Sequence, residues 1–159
     1  MSANEANRKA FRGMIAWSEI GPALLKVSND GYNVCVGSTA AHPILFTDYS
    51  VHPRRRSAAL NSDAAGRYQF MGRYWTTYKG QLDLPDFGPA SQDKWCMQLI
   101  AECRALEDID AGRIGDAIVK CRSRWASLPG AGYGQPERKQ SALINAYVLA
   151  KGTLANEDA

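Results

Sequence analysis

The sequence predicts an α+β fold, a mostly helical body carrying one small antiparallel β-sheet. Three observations carry that expectation. Apolar residues recur at helical spacing near the N-terminus and again through most of the chain after residue 65. Residues 32–37 alternate, with Tyr32, Val34 and Val36 on one side, and 44–50 (Ile-Leu-Phe-Thr-Asp-Tyr-Ser) is also strand-like. Gly, Ser and Pro lie between those two runs, so a hairpin or a three-stranded sheet is expected there.

Each element has a local reason. Ser2 and Glu5 form an S-x-x-E capping box, and the first helix is expected from about Ala3 to Ser18 or Glu19. Phe11, Met14, Ile15, Ser18 and Glu19 fall at i, i+3, i+4, i+7 and i+8, one helix face. Gly21 and Pro22 end it. A second helix is expected from about Tyr68 to Gln81, carrying Phe70, Tyr74, Trp75 and Tyr78. A third, about Ser91 to Leu106, aligns Cys96, Leu99, Ile100, Cys103 and Leu106. A fourth, about 111–124, aligns Ile114, Ala117, Ile118 and Cys121, and a last one covers about 137–151. Pro129 to Pro136 holds three Gly and two Pro in eight residues and is expected to be a loop. At 159 residues the chain is expected to form one domain, 1–159, large enough for a core without metal or disulfide staples.

Composition removes several chemistries. His42 and His52 are the only histidines, so a three-His zinc site is impossible and no H-E-x-x-H helix exists. There is no Walker-type phosphate loop, and Gly130-x-Gly132 fails as a dinucleotide fingerprint because position 135 is Gln. Nineteen basic against sixteen acidic residues give +3, too mild to imply nucleic acid but favourable to a polyanionic surface. No apolar run approaches the 18–20 or so residues that span a bilayer. The polar N-terminus, with Glu5, is not a secretory signal, so a cytoplasmic origin is expected. Cys35, Cys96, Cys103 and Cys121 include no C-x-x-C pair, and buried free thiols are favoured over disulfides or ligands.

Glu19 is the carboxylate with the most chemical promise. It continues the apolar stripe of the first helix, where a Leu is expected, and lies at the negative end of the helix dipole. Partial burial and the dipole both disfavour its ionised form, and a carboxyl protonated near neutral pH can protonate a glycosidic oxygen. The plainer alternative is a Glu whose stem packs on the core while its head reaches water. A glycosidase usually has a second carboxylate. Asp48 is the best placed, with Asp30 and Asp63 as loop candidates, though Asp48 can equally cap a turn. Cys35 with His42 or His52 could form a nucleophile and base, but the thiol sits in an apolar alternating run. Trp17, Tyr32, Tyr49, Tyr68, Trp75 and Tyr133 are candidates for stacking on sugar faces, against a default of core packing. Tyr133 differs because no helix or strand demands an aromatic in its Gly-Pro loop. The run His52-Pro-Arg-Arg-Arg56 is a basic patch, either a solvated loop or an attractor of acidic polymer or membrane surface.

At this point the residues resemble a known family. Met14-Ile-Ala-Trp-Ser-Glu19 looks like the catalytic helix end of the lambda-type bacteriophage endolysins. The similarity continues through Gly31-Tyr-Asn-Val, Phe46-Thr-Asp-Tyr-Ser-Val-His-Pro53 and Ala65-Gly-Arg-Tyr-Gln69. It extends to Leu84-Pro-Asp-Phe87, Ser91-Gln-Asp93, Ile109-Asp-Ala-Gly-Arg-Ile114 and Trp125-Ala-Ser-Leu-Pro-Gly-Ala-Gly-Tyr-Gly-Gln135. It is collinear from about residue 8 to 153. Two departures stand out: Ile20 follows Glu19 where related endolysins have Gly, and Asn33 follows Gly31-Tyr32 where Asp is usual. Asn keeps donor and acceptor capacity but loses the charge.

The resemblance implies a single lysozyme-like catalytic domain with a substrate cleft, acting as a lytic transglycosylase on the β-1,4 bond between N-acetylmuramic acid and N-acetylglucosamine. The product would carry a 1,6-anhydro ring. It implies Glu19 as catalytic acid/base and glycan contacts from Tyr32, Asn33, Asp48, Tyr49, Arg67, Tyr68, Gln69, Trp75, Tyr133 and Gln135. The loop around 128–140 resembles a mobile lip. No metal or organic cofactor is implied. The expected partner is the peptidoglycan glycan strand, with no nucleic acid, no stable membrane insertion, a monomeric state and dependence on a holin. The expected location is the host cytoplasm until release to the periplasm and wall at lysis. A hydrolytic muramidase using Glu19 with Asp48 and an inactive peptidoglycan-binding protein are the alternatives.

Overall fold

The computed structural model describes residues 1–134 and 136–156. Those residues form seven α-helices: α1 (Ala3–Ile20), α2 (Pro22–Val27), α3 (Trp75–Gln81), α4 (Pro89–Glu102), α5 (Leu106–Ala111), α6 (Ile114–Cys121) and α7 (Gln140–Leu149). A short 3-10 turn, Gly72–Tyr74, precedes α3. None of these helices is long and apolar enough to cross a membrane.

The first helix forms as its sequence dictates. Glu5 N–H donates to Ser2 Oγ (3.2 Å) and Ser2 N–H donates back to Glu5 Oε2 (2.8 Å), the reciprocal capping box. Phe11, Met14 and Ile15 are wholly buried and Ser18 is nearly so, which is the predicted stripe. Ile20 is its last residue, and Gly21 at φ +84° turns the chain so that Pro22 can open α2.

No strand or sheet forms among the described residues, so the α+β expectation is corrected to an all-helical fold joined by turns. The two runs read as strands meet at a single bridge, Val34 with Leu45, and Cys35 forms another with Ala65 outside both runs. Side chains take the backbone partners that a ladder needs. Ser38 Oγ accepts the Ile44 N–H (2.8 Å) and lies 2.7 Å from the Cys35 carbonyl, and Asp48 Oδ1 accepts the Ser50 N–H (2.8 Å). Such local bonds offer the backbone a turn in place of a strand.

Other boundaries shift for similar reasons. The helix expected from Tyr68 begins at Trp75, because Ala65 and Phe70 bridge across a turn with Gly66 at φ +83° and Gln69 at φ +51°. The helix expected over 111–124 is the shorter α6, and a separate helix, α5, precedes it and is capped by Gly112 at φ +78°.

The chain divides into two compact units, Met1–Ser18 with Met97–Ala159, and Glu19–Cys96. In the first, Ile114, Ala117, Ile118 and Cys121 are wholly buried along one face of α6. Asn7 ties distant segments there, donating to the Ile109 carbonyl (3.1 Å) and accepting the Thr153 N–H (2.9 Å). The second unit packs around aromatic rings: Phe70 stacks on Trp95 at 4.0 Å, with Trp75 and Phe87 beside them.

Candidate active site

Glu19 lies in the last turn of α1, a turn that carries no basic residue, and is half-buried. It continues the buried face of Phe11, Ile15 and Ser18. Its half-buried position leaves part of the residue accessible at the end of the helix.

Within its unit, two groups of predicted residues come together. Tyr32 and Tyr68 both donate their hydroxyls to Asp93 Oδ1, at 2.9 and 2.6 Å. Their rings meet edge to face at 6.5 Å, and the Arg67 guanidinium covers both, 5.3 and 5.9 Å from the centroids. Arg67 is anchored in turn by Asp30, to its carboxylate at 2.8 Å and its carbonyl at 2.5 Å. Burial, and then the Asp93 charge, push the Tyr32 phenol up to about 12, and burial, then Cys96 and Asp93, raise the Tyr68 phenol as well. Both therefore stay neutral donors at any physiological pH.

The second group is Asn33 with Tyr49. Asn29 joins them: its N–H donates to Asn33 Oδ1 (2.9 Å) and its side-chain amide donates to the Tyr49 hydroxyl (2.8 Å). These groups are exposed or partly so, and they present donors and acceptors of the kind that read sugar hydroxyls.

The remaining predicted residues are placed as follows. Gln69 donates to the carbonyls of Gly66 (2.8 Å) and Val34 (3.3 Å), bracing the turn rather than facing outward. Trp75 is 4% exposed and lies among Phe87 and Trp95. Asp48 is exposed and its Oδ1 closes the turn at Ser50, whose hydrogen bonds hold the carboxyl below the usual range. Cys35 is 1% exposed and burial pushes its thiol up, which leaves it a poor nucleophile. Both nitrogens of His52 are engaged: Nε2 donates to the Phe70 carbonyl (2.7 Å) and Nδ1 accepts the Arg54 N–H (2.9 Å).

Sequence reasoning missed two residues in this unit. Asp93 anchors the tyrosine pair. Gln92, wholly buried, donates to the Tyr32 and Phe87 carbonyls (2.9 and 2.8 Å) and accepts the Arg67 N–H (2.9 Å). It thereby fixes the backbone on both sides of the group. A signal existed: Gln92 stands four residues before Cys96 on the α4 stripe, a polar residue on a buried face, as Glu19 is on α1.

The first unit holds Tyr133 and the Gly-Pro loop. Tyr133 is 57% exposed and its hydroxyl donates to the Ser123 carbonyl (2.8 Å). Glu137 accepts the N–H groups of Gly130 (2.9 Å) and Gly132 (3.2 Å), which lowers its carboxyl from the ordinary value. At the base, Arg138 N–H donates to the Ser127 carbonyl (2.8 Å), and the Arg138 guanidinium lies 5.1 Å from the Trp17 ring centroid. Gln135 falls outside the described residues. A cavity of about 690 Å³ in this unit, between Arg8, Arg12 and Met97, contains none of the predicted site residues.

Comparison with known proteins bears on the whole arrangement. A family model described as Endolysin matches residues 9–154. The endolysin of Escherichia phage lambda is 48% identical over 155 residues, covering 95% of each chain. That of Escherichia phage P2 is 46% identical over 157 residues, covering 94% of this chain and 95% of its own. The structure of bacteriophage lambda lysozyme complexed with a chitohexasaccharide aligns with a TM-score of 0.86 at 48% identity, over 94% of this chain and 96% of that one. A second structure of lysozyme from bacteriophage lambda gives 0.80 at 46% identity, with the same coverage. With nearly half its residues in common with the lambda protein over nearly the full length of both, the chain belongs to the endolysin family.

Proposed function

We propose that this protein is a peptidoglycan lytic transglycosylase that uses Glu19 as its single acid/base. The observation that carries the reading is the relative at 48% identity whose structure holds a chitohexasaccharide, a β-linked amino-sugar polymer chemically close to the peptidoglycan glycan strand. Glu19 would protonate the glycosidic oxygen as the bond to C1 breaks. It would then take the proton of the muramoyl 6-hydroxyl as that oxygen attacks C1, leaving a 1,6-anhydro end. Because the attack is intramolecular, proximity replaces a water-activating base. The partly exposed Asn33 and Tyr49 and the Arg67 face of the tyrosine pair are read as glycan contacts, with Gln69, Tyr68 and Trp75 as their support. Tyr133 and the 128–140 lip are read as a further contact. On this reading the protein waits in the host cytoplasm as a monomer and reaches the wall through a holin.

The hydrolytic alternative asks Asp48 to activate water, but its Oδ1 is spent on the Ser50 turn and its carboxyl is exposed. Digestion of isolated peptidoglycan followed by mass spectrometry separates the two chemistries. Anhydro-muramoyl ends are expected, and reducing muramoyl ends would reject the transglycosylase. Glu19→Gln should lower the rate about 1,000-fold with an unchanged melting transition. Wild type that clears permeabilised cells no faster than Glu19→Gln would reject Glu19 as the catalytic group.

A further inference from the structure

We propose that Cys103 and Cys121 form a dithiol modification site, in which Cys103 attacks a small-molecule disulfide of the glutathione class and Cys121 resolves the adduct into an internal disulfide. The site lies in the first compact unit and shares no residue with the glycan-cleaving reading, so the two stand or fall separately.

The geometry comes from the flanking residues. Cys103 follows the last residue of α4, in a turn where its N–H donates to the Leu99 carbonyl (3.0 Å) and Arg104 has φ +57°. Cys121 ends α6, and its carbonyl accepts the Arg124 N–H (2.9 Å). Two cross-links hold these ends side by side. Arg124 Nη2 pairs with Glu102 Oε2 at 3.1 Å, and Lys120 Nζ donates to the Arg104 carbonyl at 3.4 Å. Residues beside each cysteine are thus tied to residues beside the other.

Exposure divides the roles. Cys121 is wholly buried, whereas Cys103 is only partly so and can meet a reagent. The hydrogen bond from Cys121, followed by the Arg124 charge, pulls the Cys103 thiol down to about 7 against the effect of burial. Lys120 also faces this corner but is paired with Asp108. A partly exposed thiolate beside a second thiol is the arrangement that favours exchange. Cys35 and Cys96 are 1% and 0% exposed and belong to the other unit.

The chemistry balances. Cys103 gives its proton to water, and its thiolate attacks one sulfur of oxidised glutathione. A Cys103–glutathione disulfide forms, and the released glutathione thiolate takes up a proton. Cys121 then loses its proton and attacks the Cys103 sulfur, which forms the Cys103–Cys121 bond and releases the second glutathione. Two protein thiols are oxidised by two electrons, and one glutathione disulfide is reduced to two thiols.

The test incubates the full-length native protein with oxidised glutathione near pH 7.5 and follows free thiols and non-reduced peptides by mass spectrometry. Four thiols should fall to two, with a peptide joining Cys103 to Cys121, and dithiothreitol should restore all four. Cys121→Ala and Cys121→Ser should each stop at the Cys103–glutathione adduct. Wild type should lose thiols about tenfold faster than Cys103→Ala. A Cys103 adduct that persists in wild type, a cross-link through Cys35 or Cys96, or equal rates in wild type and Cys103→Ala would each overturn the proposal.

Discussion

In the first compact unit the wholly buried face of α6 is apolar, Ile114, Ala117, Ile118 and Cys121, at the spacing of a helix. In the unit Glu19–Cys96, buried positions that shape the backbone are polar: Gln92 at 0% exposure and His52 at 2%. In the first unit the α6 face follows a periodic pattern along the chain, and Asn7 adds one long-range grip, on the Ile109 carbonyl and the Thr153 N–H. In the other, Gln92 and His52 grip backbone groups at Tyr32 and Phe70, many residues away. The contrast teaches where local pattern suffices to specify structure and where it does not, because the second kind of contact leaves no period to read.

The largest stability difference should come from swaps that keep volume. Gln92→Met fills the same space but leaves the Tyr32 and Phe87 carbonyls and the Arg67 N–H without their partner. A loss of about 3 kcal/mol is expected in denaturant unfolding. Ile118→Leu, equally buried in the first unit, should cost about 1 kcal/mol. Equal losses would erase the distinction between the two units.

Acid should distinguish them next. Burial lowers the His52 imidazole below its ordinary 6.5, and its Nδ1 already accepts the Arg54 N–H. The stability His52 contributes is therefore complete above pH 6.5 and is lost as pH falls through the depressed value, when a proton must displace that bond. Asp108 in the first unit is held below 3.8, first by Lys120 and then by Arg113. Its contribution is complete above pH 3.8 and disappears as pH falls below it. Hydrogen exchange from pH 7 to 5 should show amides around 52–70 opening before those of α5 and α6, and His52→Gln should flatten that slope. Uniform opening of both units over that range would contradict the assignment.

The smallest effect belongs to the basic run. Replacing Arg54, Arg55 and Arg56 with Gln should weaken binding to isolated cell wall about threefold at low ionic strength and hardly at all at high salt. Salt-independent weakening would mean that the loop contributes something other than charge.

The same contrast explains what the sequence made legible. The α1 stripe and its capping box, the α6 stripe and the Gly-Pro loop were all readable, since each rests on neighbours within two turns. The sheet was misread because alternation over 32–37 and 44–50 is a necessary signal of pairing, not a sufficient one. Ser38 and Asp48 took the donors instead. The Asp48 turn had a local cue, an Asp two residues before a Ser N–H, whereas the grip of Gln92 on Tyr32 had none near Tyr32 itself. In the candidate site, Glu19 was found because a carboxyl on an apolar stripe is conspicuous. Asp93 was not, since only folding brings it to two tyrosines from distant parts of the chain.

Gly66 and Gln92 show how such a grip constrains inheritance. Gly66 holds φ +83°, and a Cβ placed there would lie 2.3 Å from Gln92 Oε1, the same atom that receives the Arg67 N–H. A side chain at 66 evicts the amide at 92, and a shorter residue at 92 abandons the turn that made glycine necessary. The two positions are one unit of variation written in two places. Along any lineage of this fold they should be kept together or exchanged together, and a chimera joining residues 19–80 of one parent to the remainder of another should fail wherever the pair is split.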